Sequence, residues 1–138
     1  MKSQRILAIG LAAVVVLGVC ALYYFPPSTA RFYPPCLLNA LTDGRVHCPG
    51  CGITRSLHAL LHGDLEQALA YNVLFVLLLP LIVYYFFRVW YHLLTDRSLP
   101  PERAPRWALL SMFAVILLFA ILRNLPAEPF RWLAPHAL

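Results

Sequence analysis

Charge is scarce in this sequence, and negative charge is the scarcest. Only 6 of the 138 residues are acidic and 11 are basic, whereas 61% are hydrophobic. Charged residues make up 12% of the chain, whereas they make up about 25% of a typical globular domain. The composition excludes an ordinary soluble domain, a disordered chain and a coiled coil, and it is typical of a membrane protein. The basic residues stand singly rather than in runs, so we expect no nucleic-acid partner.

The sequence also lacks the arrangements that support hydrolytic chemistry. It has no phosphate-binding loop and no Ser-His-Asp arrangement, and its six acidic residues are scattered along the chain. Catalysis by a pair of carboxylates is therefore not expected. The apolar runs and the cysteines carry the remaining information.

Three long apolar runs are separated by charged or proline-rich segments. They cover residues 6–25, 69–90 and 107–122. At 1.5 Å per residue the first run is about 30 Å long, which matches one hydrocarbon core, and the third is about 24 Å long. The pattern predicts an all-α membrane protein with three transmembrane helices in a single domain over residues 1–138. Pro80 predicts a kink in the second helix.

The distribution of basic residues predicts the topology. The first run exceeds the about 7–15 apolar residues of a signal peptide, so we expect a retained helix. With the N-terminus in the cytoplasm, six basic residues lie on the cytoplasmic side and five on the outer side, which agrees with the positive-inside rule. The inner set is Lys2, Arg5, Arg88, Arg97, Arg103 and Arg106; the outer set is Arg31, Arg45, Arg55, Arg123 and Arg131.

The predicted extracytoplasmic segment, residues 26–65, holds three of the four cysteines. Cys36 comes first, and His47-Cys48-Pro49-Gly50-Cys51-Gly52 is the densest group of chemically active residues in the chain. A short helix is predicted over residues 52–62, with Gly63 as its C-terminal cap. This helix is amphipathic, so we expect it to lie at the outer interface or to re-enter the membrane.

Polar side chains are predicted to gather at the membrane level of the cysteine motif. One face of the short helix is polar, and the topology brings the ends of the second and third spans to the same level. Ionisable and amide groups are costly at membrane depth, so they tend to face a bundle interior or a site. The predicted supporting set is Thr54, Arg55, His62, Asn72, Arg123 and Asn124, and His58 on the same helix is a candidate ligand.

Two of the three chemistries that fit these cysteines involve sulfur–sulfur bonds. A disulfide from Cys36 to Cys48 or Cys51 would hold the segment together in an oxidising compartment. Alternatively, Cys48 or Cys51 exchanges disulfides, because a helix N-terminus and Arg55 would favour its thiolate. No thioredoxin-like βαβ pattern accompanies the motif.

The third chemistry is metal binding. Cys-Pro-x-Cys-Gly is the knuckle sequence of zinc ribbons and rubredoxin-like sites, in which two thiolates hold one tetrahedral ion. The three extracytoplasmic thiols would supply three ligands to zinc or iron, and His47, His58 or His62 would supply a fourth. A second knuckle is absent from the sequence.

The motif resembles a widespread bacterial family of small membrane proteins of unknown function that carries a CPxCGxTR signature. The residues that carry the resemblance are Cys48-Pro-Gly-Cys-Gly-Ile-Thr-Arg55, Leu60-Leu-His-Gly-Asp-Leu65, Asn72 and Arg123-Asn-Leu-Pro126. It implies an integral membrane protein with two or more helices, and it supplies no activity, substrate or cofactor. Proline often follows the asparagine in that family, whereas Val73 does so here, which predicts a straighter start to the second span.

The sequence therefore predicts a multi-pass protein of the bacterial inner membrane with a cytoplasmic N-terminus. The cysteine motif would bind a metal ion or staple the loop, in a non-enzymatic subunit or accessory. Expected partners are the lipid bilayer and another membrane protein or a second copy. Two alternatives remain: a membrane thiol–disulfide oxidoreductase, and a lipid or phosphate headgroup binder that uses Arg55, Arg123 and the helix N-terminus.

Overall fold

The regular elements of the chain are helices. The computed structural model describes residues 2–28, 33, 36–43, 45–95, 105–128 and 130–135. In these residues the helices are α1 (Lys2–Tyr24), α2 (Leu37–Leu41), α3 (Ile53–Leu61), α4 (Leu65–Thr95) and α5 (Arg106–Leu122), followed by a 3-10 turn at Phe130–Leu133. The described part contains no strand, so the all-helical prediction is confirmed for it.

Two helices, α1 and α4, are long and apolar enough to cross a membrane. The prediction of three such helices is wrong in its third member. α5 has 17 residues, about 26 Å at 1.5 Å per residue, whereas a hydrocarbon core is about 30 Å thick. α5 begins directly after Pro105 and is followed by its C-cap residue, Arg123. The Arg123 side chain points toward the cysteine segment and donates to the Cys48 carbonyl oxygen.

Part of the predicted topology falls outside the described residues. This applies to the loop between α4 and α5 at residues 96–104, with Arg97 and Arg103, and to Arg31. The side chains of Lys2 and Arg131 are likewise not described.

α1 and α4 run antiparallel. Near the start of α1, Trp90 from the end of α4 donates its indole N–H to the Ala8 carbonyl oxygen at 3.3 Å, and Ala8 is fully buried. Near the end of α1, the Leu22 carbonyl oxygen lies 2.6 Å from Nδ1 of His58 in α3. Small residues such as alanine let two apolar helices approach closely. Polar contacts therefore hold α1 at Ala8, in its second turn, and at Leu22, in its last turn.

α3 folds back on the start of α4. Gly63 adopts a left-handed φ of +80°, and the Asp64 side chain accepts the Gln67 backbone N–H at 2.9 Å. The predicted C-terminal cap at Gly63 is therefore confirmed, and Asp64 is the N-cap of α4. Ser56 in α3 is fully buried and donates its hydroxyl to the Ala68 carbonyl oxygen at 2.8 Å. This bond joins the two helices near their junction.

The backbone of α4 leaves helical geometry at Asn72, not at Pro80. Asn72 has φ −162° and ψ 93°, and its side-chain Oδ1 accepts the Phe75 backbone N–H at 3.0 Å. An asparagine at this spacing is an N-cap, so it starts a second helical segment within α4. Val73 was expected to give a straighter start to this helix, whereas the structure has a break at Asn72 that the asparagine side chain caps.

The distribution of polarity is the reverse of that in a soluble domain. The largest fully buried side chains are Arg123, Asn72 and Ser56. Large apolar side chains are exposed along the helices, as for Leu110 at 67% and Phe113 at 65%. These buried polar residues lie around the cysteine segment, which indicates a functional site there.

Candidate functional site

Three cysteine sulfur atoms meet at one point. Cys36 lies just before α2, and Cys48 and Cys51 lie in the turn before α3. The Cys48 Sγ is 3.1 Å from the Cys36 Sγ and 3.1 Å from the Cys51 Sγ, and all three sulfur atoms lie within 4.8 Å of one another. Cys51 is buried and the other two are half-buried. Cys20, on α1, is exposed and does not belong to this group.

The turn between Cys48 and Cys51 brings two of these thiols together. The Cys51 backbone N–H donates to the Cys48 carbonyl oxygen at 3.0 Å, and the Cys48 N–H donates to the Cys51 Sγ at 3.2 Å. Backbone amides that donate to sulfur stabilise negative charge on it and orient it toward a metal ion. We call residues 48–51 the cysteine turn.

Arg123, the C-cap residue of α5, donates hydrogen bonds to the backbone of the cysteine turn. Its Nη1 donates to the carbonyl oxygens of Cys48 at 3.0 Å and Pro49 at 3.2 Å, and its Nη2 donates to that of Cys51 at 3.2 Å. The side chain is 2% exposed, and its guanidinium carbon lies 4.8 Å from the centre of the Phe119 ring. One buried cation thus satisfies three carbonyl groups of the turn.

Two asparagines complete this support. Asn72 donates Nδ2 to the carbonyl oxygens of Pro49 at 2.9 Å and Cys51 at 3.1 Å. Asn124 accepts the His47 backbone N–H at 2.7 Å and donates to the His47 carbonyl oxygen at 2.8 Å. The break in α4 and the end of α5 therefore both bond to the backbone that carries the thiols.

We expect Asn72→Ala to destabilise the protein by about 2–3 kcal/mol. The substitution removes a helix cap, worth about 1 kcal/mol, and two hydrogen bonds to buried carbonyl groups. Asn72→Ser keeps a capping oxygen but cannot reach the turn, so it should recover only part of the loss. Chemical unfolding of the detergent-solubilised protein measures both. An unchanged midpoint for Asn72→Ala would contradict this role.

The charge of Arg123 has no carboxylate partner among the described residues. Burial lowers its pKa, and the charges that oppose this are those of the three cysteines, Cys51 first. The Nε of Arg123 is buried and makes no hydrogen bond. A buried cation without a counter-charge is costly, because desolvation is not offset by attraction. The sulfur atoms are the groups placed to supply that negative charge.

Two groups of the site are neutral in the metal-free protein. Burial, with hydrogen bonds to Cys48 and Cys36, raises the pKa of the Cys51 thiol to about 12. Burial, followed by the charges of Arg123 and Arg55, lowers the pKa of His47, so its imidazole is neutral at pH 7. A metal ion that binds Cys51 would replace the proton of its thiol.

A cavity of about 520 Å³ opens on the sulfur side of the turn. All three clustered cysteines line it, together with His47, Thr54 and Arg55. Arg55 is exposed, and its guanidinium carbon lies 5.9 Å from the centre of the Tyr71 ring. Arg123 does not line this cavity. It lines a second one of about 420 Å³, with Arg45, His47 and Asn124.

His58 and His62 lie apart from the thiols, against α1. The Nδ1 of His58 faces the Leu22 carbonyl oxygen, and the His62 ring stacks on Tyr23 with centres 4.4 Å apart. No histidine or carboxylate of the described residues joins the three sulfur atoms. His58 and His62 were expected on one helical face with the cysteine motif. α3 begins at Ile53, so Cys51 lies in a turn before the helix and does not share a helical face with the two histidines.

The sequence did not reveal the roles of two residues near the site, Ser56 and Gly52. Ser56 fixes α3 to α4, as described above, and a single serine in a short helix gives no signal of this. Gly52 has a left-handed φ of +89°, and a Cβ at this position would lie 2.5 Å from the Tyr71 carbonyl oxygen. Its place directly after Cys51 was a signal that only glycine fits the turn.

Comparison with known proteins gives one match. The family described as "Protein of unknown function (DUF2752)" matches residues 36–86. This segment contains the three clustered cysteines, α3 and the first part of α4. The match covers less than half of the chain, so it shows similarity over this segment. No curated protein and no solved structure matches the chain significantly.

Proposed function

We propose that Cys36, Cys48 and Cys51 bind one divalent thiophilic metal ion, Zn²⁺ or Fe²⁺. Arg123 carries this proposal. Three thiolates around a divalent ion have a net charge of one negative unit, which one buried guanidinium balances. A disulfide with one remaining thiol is neutral and would leave the buried charge of Arg123 without a counter-charge.

The positions of the sulfur atoms fit this use. Zinc–sulfur bonds of about 2.3 Å in a tetrahedral site separate the sulfur atoms by about 3.8 Å. The observed separations, from 3.1 Å to at most 4.8 Å, need changes of no more than about 1 Å. The amide of Cys48, which donates to a sulfur atom, would remain as support of the ligands. His47 is the one histidine that lines the same cavity among the described residues.

We further propose that α1 and α4 cross a bacterial inner membrane, with the N-terminus in the cytoplasm and the cysteine turn outside. The exposed apolar surface of the helices supports this, because such a surface is unfavourable in water and suits a lipid. α5 ends at the level of the turn, where Arg123 bonds to it. The metal would fasten Cys36, just before α2, to the cysteine turn, which Asn72 and Arg123 hold by hydrogen bonds. We assign this site to a non-enzymatic accessory subunit of a larger membrane assembly or of a homo-oligomer.

Serine substitutions test the metal site. The protein purified in detergent without chelator should contain one metal ion per chain, by elemental analysis. Cys36→Ser, Cys48→Ser and Cys51→Ser should each lose most of it, because each substitution opens the coordination shell. Cys20→Ser is the matched control, since Cys20 is exposed on α1, and it should retain the metal. Equal metal content in all four variants would contradict the proposal.

Thiol–disulfide exchange is a second candidate, favoured by the central position of Cys48. Its Sγ is equally distant from those of Cys36 and Cys51, so either neighbour could form a disulfide with it. A partner protein would have to supply or accept the two electrons. In that case single serine variants should trap a mixed disulfide with the partner and should contain no metal.

A further inference from the structure

The three-thiol group is one ligand short of a closed site. Structural zinc sites have four protein ligands, whereas sites that bind an outside molecule have three and leave one position open. Here no histidine or carboxylate of the described residues joins the sulfur atoms. The Asn124 side chain hydrogen-bonds to both the backbone N–H and the carbonyl oxygen of His47. These two bonds fix the backbone of the one histidine that lines the cavity among the described residues.

The open position faces the larger cavity. At about 520 Å³ this cavity is far larger than one water molecule, which occupies about 30 Å³, and it has the size of small-molecule sites. Cys36, Cys48 and Cys51 form one part of its lining, and Thr54 and Arg55 form another. A molecule inside could therefore reach the sulfur atoms and the guanidinium together.

Charge selects the kind of molecule. Arg123 balances a centre of three thiolates and one divalent ion. A thiolate as fourth ligand adds one negative charge, which the ion itself attracts, and a further anionic group on the same molecule needs a cation of its own. Arg55 supplies that cation, and no acidic residue is among the described residues that line the cavity. The positive end of the α3 dipole, at Ile53 and Thr54, adds to the same side. Neutral ligands would gain nothing from this arrangement.

We propose that the cavity binds a small thiol that carries a carboxylate group. Its sulfur, after loss of the thiol proton to solvent, is the fourth ligand, since a centre of three thiolates favours a soft donor. Its carboxylate pairs with Arg55, a charge-assisted contact. This inference rests on the proposed metal site. It makes the protein a receptor for a low-molecular-weight thiol rather than a purely structural module.

Cobalt loading tests the inference. Co²⁺ reports its ligands through thiolate-to-cobalt absorption bands. The purified protein in detergent is loaded with Co²⁺ and titrated with 3-mercaptopropionate, and separately with 2-mercaptoethanol, which lacks the carboxylate. We expect both to increase the bands, and the carboxylate to improve the dissociation constant about tenfold, as one charge-assisted contact worth about 1.4 kcal/mol would.

Arginine variants separate the contribution of Arg55. Arg55→Gln should abolish the tenfold preference while the bands from the three cysteines stay unchanged. Arg45→Gln is the matched control, because Arg45 is an exposed arginine that lines the second cavity, and it should keep the preference.

Each contrary outcome has a distinct meaning. Absence of thiolate-to-cobalt bands before any thiol is added would overturn the metal site itself. Bands that neither thiol changes would overturn only the inference. A cobalt spectrum that His47→Ala alters before thiol is added would show that the imidazole occupies the fourth position, which also overturns the inference and leaves the metal site intact.

Discussion

Arg123→Met is expected to lower the free energy of unfolding by about 3–5 kcal/mol. The substitution removes three hydrogen bonds from a buried charged group to the carbonyl groups of Cys48, Pro49 and Cys51, each worth about 1.5 kcal/mol. Each carbonyl group keeps one other donor, from Asn72 or from the Cys51 backbone N–H. The metal should be lost as well, because the charge that balances the thiolates disappears. Unfolding in detergent and elemental analysis measure the two effects.

Two controls define this prediction. Arg123→Lys keeps the positive charge but cannot reach three carbonyl groups at once, so it should retain metal better than Arg123→Met at a reduced stability. Arg45→Met, at an exposed position, should change stability by no more than about 0.5 kcal/mol. If Arg123→Met kept its metal and its unfolding midpoint, the charge-balance argument would be wrong.

Gly52→Ala is expected to be the most damaging exchange of one small residue for another, at about 3 kcal/mol or more. The left-handed φ of Gly52 strains any other residue, by about 1–2 kcal/mol. In addition the new Cβ would meet the Tyr71 carbonyl oxygen at 2.5 Å, so α3 would have to move away from α4. That movement would displace Cys51 from its two sulfur neighbours.

Two other glycines separate strain from contact. Gly63 has a φ of +80° and open space around its Cα, so Gly63→Ala should cost about 1 kcal/mol from strain alone. A Cβ at Gly50 would lie 3.6 Å from the Ile53 side chain, an ordinary van der Waals contact, so Gly50→Ala should be nearly neutral. Equal effects at positions 52 and 63 would mean that the close approach of α3 to α4 has no role.

Local signals were sufficient to predict the long helices and the junction of α3 with α4. The glycine at 63, the aspartate at 64 and the long apolar runs act within a few residues. α2 was not predicted, and α1 and α4 extend beyond the predicted apolar runs. The bounds of α5 were predicted to within one residue, but its assignment as a membrane span was wrong. The break at Asn72 was not predicted. Its side chain caps the second segment of α4 and also donates a hydrogen bond to the Pro49 carbonyl oxygen in the cysteine turn.

The site could be predicted only in part. The topology brought Arg123, Asn124 and Asn72 to the level of the cysteines, and in the structure all three bond to the segment at residues 47–51. Their partners are backbone carbonyl groups, which carry no mark in a sequence. The histidines were expected beside the cysteines because one helical face was extended through residue 51, which lies in a turn whose geometry differs from a helix.

The metal and thiol content of the unaltered protein tests the central claim most directly. The chain has four cysteines. We expect one zinc or iron ion per chain, and four titratable thiols after denaturation with a chelator. Before denaturation three of them should be protected and only Cys20 should react. Absence of metal, with two thiols after denaturation and one disulfide among Cys36, Cys48 and Cys51, would contradict it.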